Sequence, residues 1–128
     1  MKNRILVDTS IWIEFFRPKS ELGRLVEIFL AEDAVCTCGI VMFEVLKGIK
    51  SGDEKSKILS IFEILPYAEM TKNLWQRASE LSVHLGKKGL NLPNSDIFIA
   101  TIALEHNLYI FTLDRHFKQI PNVNLYEK

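Results

Sequence analysis

The chain has 128 residues, 48% hydrophobic and 25% charged, with sixteen basic residues balancing sixteen acidic ones. This composition excludes disordered and collagen-like chains, and the length suits one domain, expected over 1–128, that buries about two-thirds of its surface without a disulfide or metal staple. Zero net charge excludes a uniformly basic nucleic-acid binder though not a local basic patch, and no apolar run reaches the roughly 18 residues of a membrane span.

Residues 1–4 give way at once to a short apolar run that ends at Asp8, too brief for a secretory segment. Ile5 to Val7 reads as a strand buried on both faces, with Thr9 or Ser10 capping a helix over Ile11 to Phe16. Leu22, Leu25, Val26, Phe29 and Leu30 recur at helical spacing, and Ala34 to Thr37 is a second short strand. Cys36 and Cys38 are too close for an unstrained bridge and lack a second Cys/His pair, so they read as reduced core thiols of a cytoplasmic protein. A helix follows over Gly39 to Ile49, and Ser51 with Glu54 forms a capping box for the next.

Ile64 to Tyr67 is a candidate strand weakened by Pro66. Thr71 caps the longest helix, with Leu74, Ala78, Leu81 and Leu85 on one face and Gly86 and Gly89 at its end. Asp96 to Glu105 is a buried helix stopped by Asn107, and Leu108 to Thr112 is a strand. Arg115 to Gln119 makes a helical turn and Asn122 to Tyr126 an edge strand. Strands alternating with helices, without hairpin signals, predict a three-layer α/β/α domain with a mainly parallel central sheet.

Parallel α/β sheets carry their sites beyond the carboxyl ends of the strands. Asp8 and Asp114 follow two strands, and Asp96 opens a helix whose N-terminus lies at that same edge. Glu44 stands roughly 7 Å down its helix, a depth from which the longer carboxylate still reaches the rim. Singly these acids are ordinary: Asp96 complements a helix dipole, while Asp8 and Asp114 are turn formers. A salt bridge from Glu44 to Lys47 or Arg115 is the bland account of that residue.

Together they are costly. Two like charges 4 Å apart repel by about 4 kcal/mol at an effective dielectric near 20, so a cluster of four calls for a cation. Oxygen donors without His or Cys specify Mg²⁺ or Mn²⁺, which serve phosphate chemistry by activating water and stabilising charge. Ser10 and Thr112 are hydroxyls placed to orient that water or a carboxylate. The histidines read as surface residues, His116 alone being near an acid. Lys47, Arg115 and His116 are by default solvated surface residues; beside an acidic metal site they are also candidates to hold a phosphate backbone in register.

Four segments carry a family resemblance: Ile5-Leu-Val-Asp-Thr-Ser-Ile-Trp12, Phe43-Glu-Val-Leu-Lys-Gly48, Leu92-Pro-Asn-Ser-Asp-Ile-Phe-Ile-Ala100, and Phe111-Thr-Leu-Asp-Arg-His-Phe117. In order and spacing the chain resembles PIN-domain ribonucleases, in particular VapC-type toxins of toxin–antitoxin pairs. The resemblance implies an Mg²⁺- or Mn²⁺-dependent endoribonuclease with Asp8, Glu44, Asp96 and Asp114 at the four acidic positions and Ser10 and Thr112 at the hydroxyl positions. It also implies an RNA substrate, a homodimer, and a small VapB-like antitoxin through which any DNA contact is made. Such an antitoxin lays a helix or tail along an apolar groove and puts an Arg or Lys among the acids. Trp12 to Phe16 with Leu22, Leu25 and Phe29 is the expected groove wall.

Two other classes are weighed. A phosphoacceptor signalling module needs paired acids after the first strand and a basic residue on a late one, whereas this chain has Asp8 alone and Thr112. A non-catalytic PIN adaptor that binds RNA or protein is disfavoured by the intact acids.

Overall fold

The computed structural model describes residues 4–127; the expected outer ends of the domain and the opening residues 1–3 lie outside that range. The apolar run Ile5–Val7 forms the central strand β1, with exposures of 1%, 0% and 0%, so both of its faces are covered. It pairs in parallel with β2 (Val35–Cys36) on one side and β3 (Tyr109–Phe111) on the other. β4 (Asn124–Leu125) adds in parallel outside β3, giving the order β2-β1-β3-β4.

Helices α1 (Thr9–Phe15) and α2 (Glu21–Ala31) connect β1 to β2. Helices α3 (Gly39–Gly48), α4 (Gly52–Ile64), α5 (Lys72–Lys87) and α6 (Asn94–His106) connect β2 to β3. Right-handed crossovers in these opposite directions put the two groups on opposite faces of the sheet, which makes the three layers. Because the chain steps from β1 to one side and returns on the other, the crevice beyond the carboxyl ends of β1 and β3 is a topological switch point.

Local chemistry starts and stops the helices largely as the sequence predicts. The hydroxyls of Ser20, Ser51 and Thr71 accept the backbone N–H groups of Gly23, Glu54 and Leu74 at 3.1, 3.3 and 3.3 Å. α6 ends at Asn107 in the left-handed region (φ 54°), and the Arg4 guanidinium donates to the Asn107 carbonyl at 2.8 and 3.1 Å, tying that end to the start of β1. α2 approaches α1 closely at Gly23, where a β-carbon would lie 2.5 Å from the Glu14 carbonyl oxygen. The core holds Trp12 edge-on to Phe15 and Phe62 at ring separations of 5.5 and 5.6 Å.

Two local expectations are corrected. α1 begins at Thr9 with Asp8 in the N-cap position, and neither Thr9 nor Ser10 caps it, because both hydroxyls are committed to carboxylates. Ile64 to Tyr67 does not form a strand. α4 runs through Ile64, Pro66 brings no N–H, and only one bridge survives, with Thr37 donating to the Pro66 carbonyl and accepting from the Ala68 N–H. Cys36 and Cys38 are free and buried as expected, and burial, with Cys38 beside it, pushes the Cys36 thiol up to about 12. Among the described residues no helix is long and apolar enough to cross a membrane.

Candidate active site

The end of β1 delivers Asp8 to the switch point. Its backbone is extended (ψ 160°) and its N–H is held by the Phe111 carbonyl at 2.9 Å, so the residue stays in register with β3 while α1 departs. Asp8 is 6% exposed, and its carboxylate ignores the helix end beside it. Oδ2 instead accepts the Thr112 hydroxyl at 2.7 Å and the Ser10 hydroxyl at 3.1 Å.

Each hydroxyl is itself fixed by a backbone donor. Thr112 Oγ1 accepts the Asp114 N–H at 2.9 Å, and Ser10 Oγ accepts the Leu113 N–H at 3.0 Å. With both protons spent on Asp8, the 3.3 Å between the two hydroxyl oxygens is a packing contact. This clamp sets the carboxylate rotamer. Among the described residues nothing donates to Oδ1, which is left as the open ligand atom.

Asp114 caps the 3₁₀ turn Arg115–Gln119, its Oδ1 accepting the His116 N–H at 2.9 Å. Asp96, buried in the first turn of α6, meets the ring of His116 at 2.8 Å from Oδ2 to Nδ1, and Asp114 Oδ1 lies 3.0 Å from the same nitrogen. Burial raises the Asp96 carboxyl above the usual range; the Asp114 and Asp8 carboxylates push the same way, and the His116 imidazole opposes them. The bond to Asp96 raises the imidazole in turn, against the small cost of its own desolvation and with Asp114 adding to the effect.

Glu44, half-buried on α3, accepts the Thr9 hydroxyl at 3.2 Å and makes no ion pair among the described residues, so the bland alternative, a bridge to Lys47 or Arg115, is not formed. All four carboxylates line one open cavity of about 310 Å³, and no lysine or arginine lines it among the described residues. Asp96, Asp114 and His116 offer ligand atoms within 4.8 Å of one another; Asp8 and Glu44 share the cavity outside that tight group. The donor set fits a hard divalent cation: two buried and two half-buried carboxylates, no lysine or arginine lining the cavity among the described residues, and one carboxyl, Asp96, pushed up by burial with its like-charged neighbours adding to the effect.

The model of the PIN domain family matches residues 5–123. The chain belongs to the PIN domain family. This PIN domain is 28% identical over 126 residues to ribonuclease VapC1 of Methanocaldococcus jannaschii, covering 97% of this chain and 86% of the relative. It is 27% identical over 130 positions to ribonuclease VapC2 of Rickettsia felis, with 94% of each chain covered. It superposes on a chain of the VapBC2 crystal structure of Rickettsia felis bound to a promoter DNA fragment, with a TM-score of 0.78, 25% identity and coverage of 95% and 96%. A chain of DNA-bound VapBC from Salmonella typhimurium shares the fold, with a TM-score of 0.79 at 21% identity and 98% coverage of both.

His116 is the residue the sequence reading misplaced. It is not a free surface histidine but a half-exposed bridge between two acids. Its position two residues after Asp114 was the available signal. Thr9 was named only as a cap, and the structure turns it to Glu44. Of the candidate RNA contacts, Lys47 is exposed with its ammonium 5.7 Å from the Phe43 ring centre, and Arg115 lines a separate depression beside β3. Trp12, Ile13 and Phe16 line a cavity of about 470 Å³ opposite Val45 and Ile49, whereas Leu22, Leu25 and Phe29 lie outside it.

Proposed function

We propose that this PIN domain, spanning 1–128, is a Mg²⁺- or Mn²⁺-dependent endoribonuclease acting as the toxin of a type II toxin–antitoxin pair. The observation that carries the reading is the convergence of Asp8, Glu44, Asp96 and Asp114 on one cavity that no lysine or arginine neutralises among the described residues. Its relatives' names, ribonuclease VapC1 and VapC2, support the activity.

In this reading the four carboxylates hold the cation. When bound, the cation supplies a water of lowered pKa and neutralises charge on the transferring phosphoryl group. Ser10 and Thr112 hold Asp8 in its binding rotamer, and Thr9 does the same for Glu44. A carboxylate of the set accepts the proton of the attacking water as the phosphodiester breaks. Lys47 and Arg115, outside the cavity, are placed to hold the RNA backbone rather than the reacting phosphate.

The apolar cavity beside the site supports a VapB-like antitoxin. Thr9 and Glu44 line both cavities, so a helix or tail lying on Trp12, Ile13, Phe16, Val45 and Ile49 reaches the acids with one basic side chain. Complexes of relatives titled VapBC support that pairing, and DNA is contacted only through the antitoxin. A homodimer in the cytoplasm completes the proposal.

The test is RNA cleavage by rigorously purified protein, with Asp8→Asn and Asp96→Asn compared with the unaltered chain. Cleavage should require added Mg²⁺ or Mn²⁺ and should vanish in both variants while the fold, read by circular dichroism, persists. Mn²⁺ should also raise thermal stability, by about 2.7 kcal/mol at one hundred times its Kd. Retained cleavage in either variant refutes the site. A chain that neither cleaves RNA nor responds to either ion is the non-catalytic adaptor.

A further inference from the structure

One nitrogen joins the tightest grouping of acids. His116 Nδ1 lies 2.8 Å from Asp96 Oδ2 and 3.0 Å from Asp114 Oδ1, and ligand atoms of the three residues fall within 4.8 Å of one another. In an octahedral site with bonds of about 2.1 Å, adjacent ligand atoms are about 3 Å apart. The two short separations are therefore those of neighbouring vertices as well as of hydrogen bonds.

The fold anchors the segment that carries this ring. The His116 N–H is held by Asp114 Oδ1 at 2.9 Å, and the next residue, Phe117, is 1% exposed and seats the turn in the core. Asp96 comes from α6, while Asp114 and His116 share the turn that follows β3, so two separately anchored elements converge.

We infer that His116, through Nδ1, is a protein ligand of the cation alongside Asp96 and Asp114 and biases the site toward Mn²⁺ over Mg²⁺; this rests on the cation-dependent reading above. Mg²⁺ keeps water and oxygen ligands and gains little from an imidazole, whereas Mn²⁺, also at home among carboxylates, is a transition-metal ion and gains more than Mg²⁺ from one nitrogen. Ligation uses the Nδ1 lone pair, its proton passing to solvent. The competing use of the ring is as a built-in counterion that must leave before a cation enters. The two uses predict opposite signs.

The experiment titrates MnCl₂ and MgCl₂ separately into the full chain by calorimetry, comparing the unaltered protein with His116→Ala and Asp96→Asn. The ring is 44% exposed, so its removal should leave the core folded, which a thermal melt checks. His116→Ala should weaken Mn²⁺ binding about tenfold or more and change Mg²⁺ binding by less than about threefold. Pulsed EPR of the Mn²⁺-loaded, ¹⁵N-histidine-labelled protein should show a nitrogen coupling that the variant lacks. Tighter binding of both ions by His116→Ala assigns the ring to the counterion role and overturns the inference. Equal weakening of both ions, unchanged Mn²⁺ affinity, or no nitrogen coupling overturns it too. If His116→Ala is silent while Asp96→Asn abolishes binding, only the His116 ligand falls. If the unaltered chain binds neither ion, the cation-dependent reading fails with it.

Discussion

Replacing Thr112 with valine tests the clamp on Asp8 at its shortest bond. The substitution keeps the shape of the side chain and removes one oxygen, which donates to Asp8 Oδ2 at 2.7 Å and accepts the Asp114 N–H at 2.9 Å. A hydrogen bond to a charged group contributes about 1.5–3 kcal/mol and a neutral one about 1 kcal/mol, and solvent can replace part of the second because Asp114 is half-buried. The expected loss is about 2–4 kcal/mol. For a chain of this size that lowers Tm by on the order of 10 °C. Urea unfolding of Thr112→Val, Thr112→Ser and the unaltered chain measures it directly, and the serine variant should recover most of the loss. The decisive control is Asp8→Asn. With the charge gone, Thr112→Val should cost less by about 1–2 kcal/mol, since contacting groups couple. Equal costs in both backgrounds would show that the hydroxyl does not act on the Asp8 carboxylate, and the clamp would be refuted.

Four further outcomes follow from packing and burial. Gly23→Ala should destabilise by about 1–3 kcal/mol in urea, because the new methyl meets the Glu14 carbonyl oxygen at 2.5 Å and α1 must move; an unchanged midpoint contradicts the close approach. Cys36, held to about 12, stays a thiol in the folded chain at pH 8, so iodoacetamide should label it only as fast as the protein opens. Because its pKa is lower when unfolded, its contribution to stability is whole below about pH 9 and is lost as pH rises toward 12; a denaturation series in which its alanine variant keeps the same alkaline slope would count against that. Thr37→Val removes a buried hydroxyl that has no partner among the described residues and should be neutral or stabilising by about 1 kcal/mol. A loss above about that size would reveal a hydrogen bond to an ordered water.

Much of the frame was legible because its signals are local. The unbroken run Ile5–Val7 can only be buried on both faces, and Ser20, Ser51 and Thr71 each cap a helix with their own hydroxyl. Asn107 tolerates the left-handed turn that stops α6. The error at Ile64 to Tyr67 was a contest between apolar pattern and helix length, settled by α4 running on through Ile64. The Thr9 and Ser10 error has a different origin. A hydroxyl beside a helix start is an equally good cap or carboxylate donor, and the choice depended on Glu44, 35 residues from Thr9, and on Leu113, whose N–H is accepted by Ser10 from 103 residues away.

The amino-acid sequence alone determined which residues carry charge, where strands end, and hence that Asp8 and Asp114 stand at one edge of a parallel sheet. It could do so because alternation, capping and burial act over a few neighbouring residues. Only the tertiary structure decided what each polar group faces: that two hydroxyls from opposite ends of the chain grip Asp8, that Glu44 has no cationic partner among the described residues, and that His116 turns inward onto Asp96 and Asp114. Those pairings depend on how a 3₁₀ turn seats against α6 and β3. Ångström-scale placement of that kind is set by the packing of distant elements.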